Sequence, residues 1–139
     1  MIAQYLWQAG AVMIAVLAGL HMYYTFFTDK FSSRNKKLVE DMRSSSPILT
    51  KELSIWNAWI GFNASHSAGG IFIGIINFYL ASRYFTLLRP DHFFFLFNIL
   101  TIGFYVWVAK KYWFKTPLKG LLITLACFVA AYILTWVNK

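Results

Sequence analysis

Four long apolar runs decide what this chain can fold into. They cover residues 3–27, 54–82, 93–114 and 118–137. A bilayer's hydrocarbon core, about 30 Å thick, takes roughly 20 apolar residues of helix to cross. Each run meets that length. Lipid tails offer no hydrogen bonds, so the backbone of each run must satisfy itself as a helix. The expected fold is therefore all-α: an integral membrane four-helix bundle forming a single transmembrane domain over residues 1–139. Charged residues are only 13% of the chain, against about 25% in soluble domains. The first lysine is Lys30, so the first run lacks the basic opening of a cleavable signal peptide and is expected to stay as a span. Cys127 is the only cysteine. It falls on the fourth run, where a small packing residue is the expectation.

A formal net charge of +8 invites a nucleic-acid reading, but the distribution of charge excludes it. The first connection carries Lys30, Arg34, Lys36, Lys37, Arg43 and Lys51, and the third carries Lys110, Lys111, Lys115 and Lys119. The opposite side holds only Arg83, Arg89 and Lys139. The positive-inside rule then predicts loops one and three in the cytoplasm and both termini outward. The basic excess reflects orientation and attraction to anionic lipid headgroups. Tyrosine and tryptophan favour membrane interfaces. Trp7, Tyr84, Tyr132 and Trp136 fall near the outer boundary on this reading, and Tyr23, Tyr24, Trp56, Tyr112 and Trp113 near the inner one.

Loop one is the single long connection. Leu38, Val39 and Met42 follow helical spacing among charges, which predicts a short amphipathic helix from Asn35 to Ser44. Ser44-Ser45-Ser46-Pro47 is expected to end it and open the next helix, since proline suits a first turn. Pro90 and Pro117 mark the turns before the third and fourth spans.

The second run carries polar groups where a span should be oily. Residues three, four and seven apart share a helix face. Glu52, Trp56, Trp59, Asn63, His66, Gly70, Ile73 and Asn77 keep that rhythm. About 15 Å of rise separates Trp56 from His66, which puts the imidazole near mid-membrane. His21 of the first span is expected at a similar depth to Asn63. One reading is a polar pocket lined by His21, Glu52, Asn63 and His66 with Trp56 and Trp59 as walls, holding a bound lipid or quinone-like molecule. The other is a hydrogen-bond clasp between the first two spans. Gly61, Ser65 and Gly69, with Gly70 and Gly74, form small-x3-small repeats that let a neighbouring backbone approach. That neighbour is a helix of this chain or of a second copy. The metal expectation is none: the three histidines His21, His66 and His92 show no paired ligand spacing, and the interior lacks carboxylates. Haem is disfavoured because His21 and His66 differ in depth by about 6 Å.

The pattern His21-x-Tyr23-Tyr24-Thr25-x2-Thr28-Asp29-Lys30-Phe31, then Met42-x4-Pro47, then Trp59-x-Gly61-Phe62-Asn63-x-Ser65-His66-x2-Gly69, resembles a family of small four-span bacterial inner-membrane proteins of unassigned function. The resemblance is strongest over residues 10–83, and the Gly-Phe-Asn-x-Ser-His run is its most specific part. It implies a bacterial inner membrane and carries over no catalytic role. The function expected from these readings is a non-catalytic oligomerising or accessory subunit of a membrane complex, with the lipid bilayer and further membrane subunits as partners. The rivals are a membrane enzyme using His66 as acid–base with Glu52, and a small transporter with a polar path through Asn77 or Asn98.

Overall fold

The computed structural model describes residues 1–137; Lys139, counted above among the outer charges, lies outside them. The described residues form five helices: α1 (Ile2–Phe27), α2 (Lys36–Ser44), α3 (Ile55–Leu88), α4 (His92–Tyr112) and α5 (Lys115–Val137). All but α2 are long and apolar enough to cross a membrane. The expected all-α class and the short helix in loop one are both present.

Local chemistry explains the boundaries. Asn35 caps α2, its side-chain oxygen accepting from the backbone N–H groups of Lys37 and Leu38. Asp91 does the same for α4 by accepting from Phe94 N–H at 3.1 Å. Each cap satisfies donors that a helix start leaves without a partner. Pro117 lies inside the first turn of α5 rather than ahead of it. Its missing N–H costs nothing there. Pro47 does not open α3; its carbonyl accepts from Thr50 N–H in a turn, and the helix begins only at Ile55. The start of α3 is pinned instead by Ile55 N–H donating to Ser45 O at 2.9 Å.

Helix α3 runs further than its apolar run suggested, reaching Leu88 over 34 residues. That is about 51 Å of rise, well beyond the roughly 30 Å of a bilayer core. The backbone stays helical through Gly69-Gly70 and departs from helical geometry only at Tyr84 (φ −129°, ψ 16°).

The described residues divide into two compact units. One comprises residues 1–17 and 70–137, the other residues 18–69. In the first, the N-terminal part of α1, the C-terminal part of α3, α4 and α5 pack as a four-helix bundle. Its core joins Trp7, Ala11 and Ile14 of α1 to Ala81 of α3, Phe95 and Ile102 of α4, and Leu121, Phe128 and Ala131 of α5. Phe72, Phe93, Leu100 and Phe104 stand exposed around it. So many large apolar side chains on the outside suit a lipid solvent and not water. In the second unit, the end of α1 and the start of α3 are joined by loop one and α2. No residue of α2 is buried.

Trp7 departs from its expected role as an interface anchor. It is fully buried, and its ring stacks on Phe128 with centroids 3.9 Å apart. Its indole N–H donates to Asn77 Oδ1 at 3.0 Å. Asn77 Nδ2 in turn donates to Ile73 O and to Asn98 Oδ1, and Asn98 Nδ2 donates to Phe94 O. A buried polar network therefore ties α1, α3 and α4 together, and no buried side-chain nitrogen or oxygen among the described residues lacks a partner. Tryptophan takes this position because one side chain supplies both a large packing surface and a single donor.

Candidate functional site

The polar groups of the second unit meet where the end of α1 faces the start of α3. His21 Nε2 lies 2.9 Å from Asn63 Oδ1. Asn63 Nδ2 donates to Trp59 O at 2.8 Å, the carbonyl one turn back. That bond fixes which end of the amide faces His21. The amide oxygen can only accept, so His21 Nε2 supplies the proton of this bond. The two imidazoles stand edge to face with centroids 5.6 Å apart. Ser67, almost fully buried, donates back to Asn63 O at 2.8 Å, and Thr25 donates to His21 O at 2.9 Å. Both hydroxyls are thereby satisfied inside their own helices.

Trp56 and Trp59 stack on one another at 5.4 Å, both half-buried. The Arg43 guanidinium of α2 sits 5.1 Å above the Trp56 ring. Such a cation–π contact holds the surface helix against the start of α3. Phe31, from the loop after α1, packs on His21 at 4.5 Å and edge-on to Tyr24. Lys30 Nζ lies 4.1 Å from the Tyr24 ring centroid.

Of the sequence-derived candidates, the fold brings together His21, Asn63 and His66, with the Trp56–Trp59 pair on the same helix. Glu52 is apart. It precedes α3 in a bend and is exposed, so helical rhythm does not apply to it. It does not join the histidines in a metal-holding cluster, and no group of three such ligands occurs among the described residues. The small residues also separate. A Cβ on Gly74 would meet Ala15 Cβ at 2.6 Å and Ala11 O at 2.7 Å. At Gly61 and Gly69 it would meet nothing within 4 Å. Ser65 is exposed, donating to Phe62 O, and Gly70 is buried.

Phe31, Arg43 and Ser67 are parts of this site that pattern reading passed over. Ser67 has a signal in hindsight, lying four residues beyond Asn63 on the same face. Phe31 belongs to the pattern that carries the family resemblance and Arg43 to the basic residues of the first connection, but neither contact is legible there, because both depend on the path of that connection.

Chemically, the cluster offers imidazole and amide hydrogen bonds, with a flat indole surface on the same helix. The four long apolar helices, three of them tied by a buried polar network, mark the fold as that of an α-helical membrane protein of several spans. No family model, curated protein or solved structure matches the chain.

Proposed function

We propose that this chain is a non-catalytic membrane module that associates with a second copy or a larger membrane complex through one face of α3. The observation that carries the reading is the open face at Gly61, Ser65 and Gly69. Two glycines in mid-helix with nothing within 4 Å of a Cβ weaken the helix by about 1 kcal/mol each relative to alanine. Lipid has no need of glycine there. Another helix does, because four-residue spacing of small residues lets two backbones approach closely. The His21–Asn63 bond then acts as a clasp that keeps α3 presented. Interhelical hydrogen bonds in membranes contribute about 0.6 to 1.7 kcal/mol each, enough to hold an orientation.

The proposed setting is a bacterial inner membrane, on the strength of the Gly61-to-His66 run. Both termini face outward, with the ten basic residues of loops one and three inside. A second reading is favoured by the half-buried Trp56–Trp59 stack beside the clasp: a flat, lipid-soluble molecule of quinone type resting against that surface. The test of the main reading is association in liposomes, followed by energy transfer between labelled copies and by co-purification from native membranes. Gly61→Leu and Gly69→Leu are expected to reduce association at least tenfold. Gly103→Leu, at an equally open glycine on α4, is expected to leave it unchanged. Unaltered association in the first two variants refutes the assigned face.

A further inference from the structure

A groove runs along the first unit where α1 and α3 approach closely at Gly74. Its floor is Ala11, Ala15 and Gly74. The absence of a Cβ at Gly74 lets the two backbones come together there. Val12, Val16, Ile75 and Phe78 form apolar walls, all of them exposed. At one end the character changes abruptly to Ser82 and Arg83. The volume is about 590 Å³, and the surface is apolar nearly throughout. Arg83 is exposed. Ser82 accepts a hydrogen bond from Gln8 at 3.0 Å, so the polar end is built from both helices.

The dimensions match one kind of occupant. From Gly74 to Arg83 the helix rises about 13.5 Å. Half of a bilayer's hydrocarbon core is about 15 Å. A groove of that length, oily along its walls and cationic at its rim, fits the acyl chain of a single leaflet with its headgroup phosphate at the guanidinium. Arginine suits the rim because its planar fork grips phosphate oxygens, while its stem can lie along apolar surface. A flat ring without charge would leave Arg83 without a counter-ion, and a second protein helix would have to bury it.

We propose that this groove seats one phospholipid with an anionic headgroup. The site is distinct from the small-residue face of α3 and from the His21–Asn63 clasp.

The experiment is native mass spectrometry of the full chain released from nanodiscs. The discs hold equal amounts of phosphatidylglycerol and phosphatidylcholine with identical acyl chains. The wild-type chain is expected to retain one lipid and to favour phosphatidylglycerol about fivefold, the preference one arginine at the membrane surface supplies. Arg83→Gln is expected to bring the preference near unity, and Arg83→Lys to keep most of it. Lys51→Gln, in loop one, is expected to have no effect. Val12→Trp alters an exposed wall without touching the core and is expected to remove the retained lipid of either kind. An undiminished preference in Arg83→Gln overturns the proposal. So does a retained lipid in Val12→Trp, or an equal loss in Lys51→Gln, which would assign the preference to overall charge. The same spectra report oligomeric state, so failure of self-association and failure of lipid seating are separately visible.

Discussion

Adding one methyl group at three glycines should produce three different outcomes, because the fold gives each a different neighbour. The common term is helix propensity: glycine to alanine inside a helix stabilises by about 0.5–1 kcal/mol. At Gly103 a Cβ meets nothing within 4 Å, so Gly103→Ala should show that gain alone. At Gly120 the nearest atom is Leu17 Cδ1 at 2.5 Å, the end of a flexible side chain. Moving it off its preferred rotamer costs about 0.5–1.5 kcal/mol, which cancels the gain to a near-neutral result. At Gly74 the neighbours are Ala15 Cβ at 2.6 Å, Ala11 O at 2.7 Å and Ala15 N at 2.8 Å. Backbone atoms cannot rotate away, so α1 itself must shift. Overpacking of this kind costs about 1–3 kcal/mol, and the upper end applies, so the net loss should be about 2 kcal/mol. Unfolding titrations in mixed micelles, or steric trapping in bicelles, resolve such differences. Gly74→Ala matching Gly103→Ala to within about 0.5 kcal/mol would refute the close approach of α1 and α3, which is the basis of the 1–3 kcal/mol penalty.

Other outcomes follow from the polar contacts. Asn77→Leu removes the acceptor of Trp7 N–H and the donor to Asn98, and should destabilise by about 1–3 kcal/mol; adding Asn98→Leu should cost less than it does alone, a non-additivity a double-mutant cycle reads directly. Trp7→Phe keeps an aromatic ring for Phe128 to pack against but leaves Asn77 Oδ1 without its donor, so it should cost about 1–2 kcal/mol by the same titration. Asn63→Leu should weaken the second unit by about 0.6–1.7 kcal/mol and change the environment of the His21 ring, visible in its NMR signals. Single cysteines placed at Lys51 and Lys115 in a Cys127→Ser background should react with impermeant thiol reagents only from the cytoplasmic side, whereas one at Asp91 should react only from outside; the reverse pattern overturns the proposed orientation.

Much of the architecture was legible because membrane solvent imposes few rules and applies them strictly. Length and oiliness alone located four helices, and the cap residues Asn35 and Asp91 sit where short polar side chains are expected. The errors share a cause. Local pattern continues through Pro47 and Glu52, ahead of the start of α3 at Ile55. Nothing in that pattern records that Ile55 N–H is held by Ser45 O. The apolar run ends at residue 82, ahead of Arg83, yet α3 extends to Leu88 across a break in helical geometry at Tyr84, which apolar counting does not register.

The candidate site was partly legible for the same reason. Asn63 and His66 stand out in an apolar span, and His21 in the neighbouring one, because a polar group there must find a partner. Which partner it finds is another matter. Asn77 belongs to the same sequence rhythm as Asn63, yet it bonds Trp7 and Asn98. Trp7 looked like an interface residue and proved to be the centre of the core.

The sequence by itself determined that there are four long apolar helices and that every interior polar group must be paired, because both follow from backbone chemistry in a solvent without hydrogen bonds. Only the tertiary structure decided which glycines are crowded and which lie open, and which asparagine meets which partner. Those outcomes depend on the distance between chain segments far apart in sequence: Ala11 and Ala15 lie against Gly74, whereas nothing lies within 4 Å of a Cβ at Gly61.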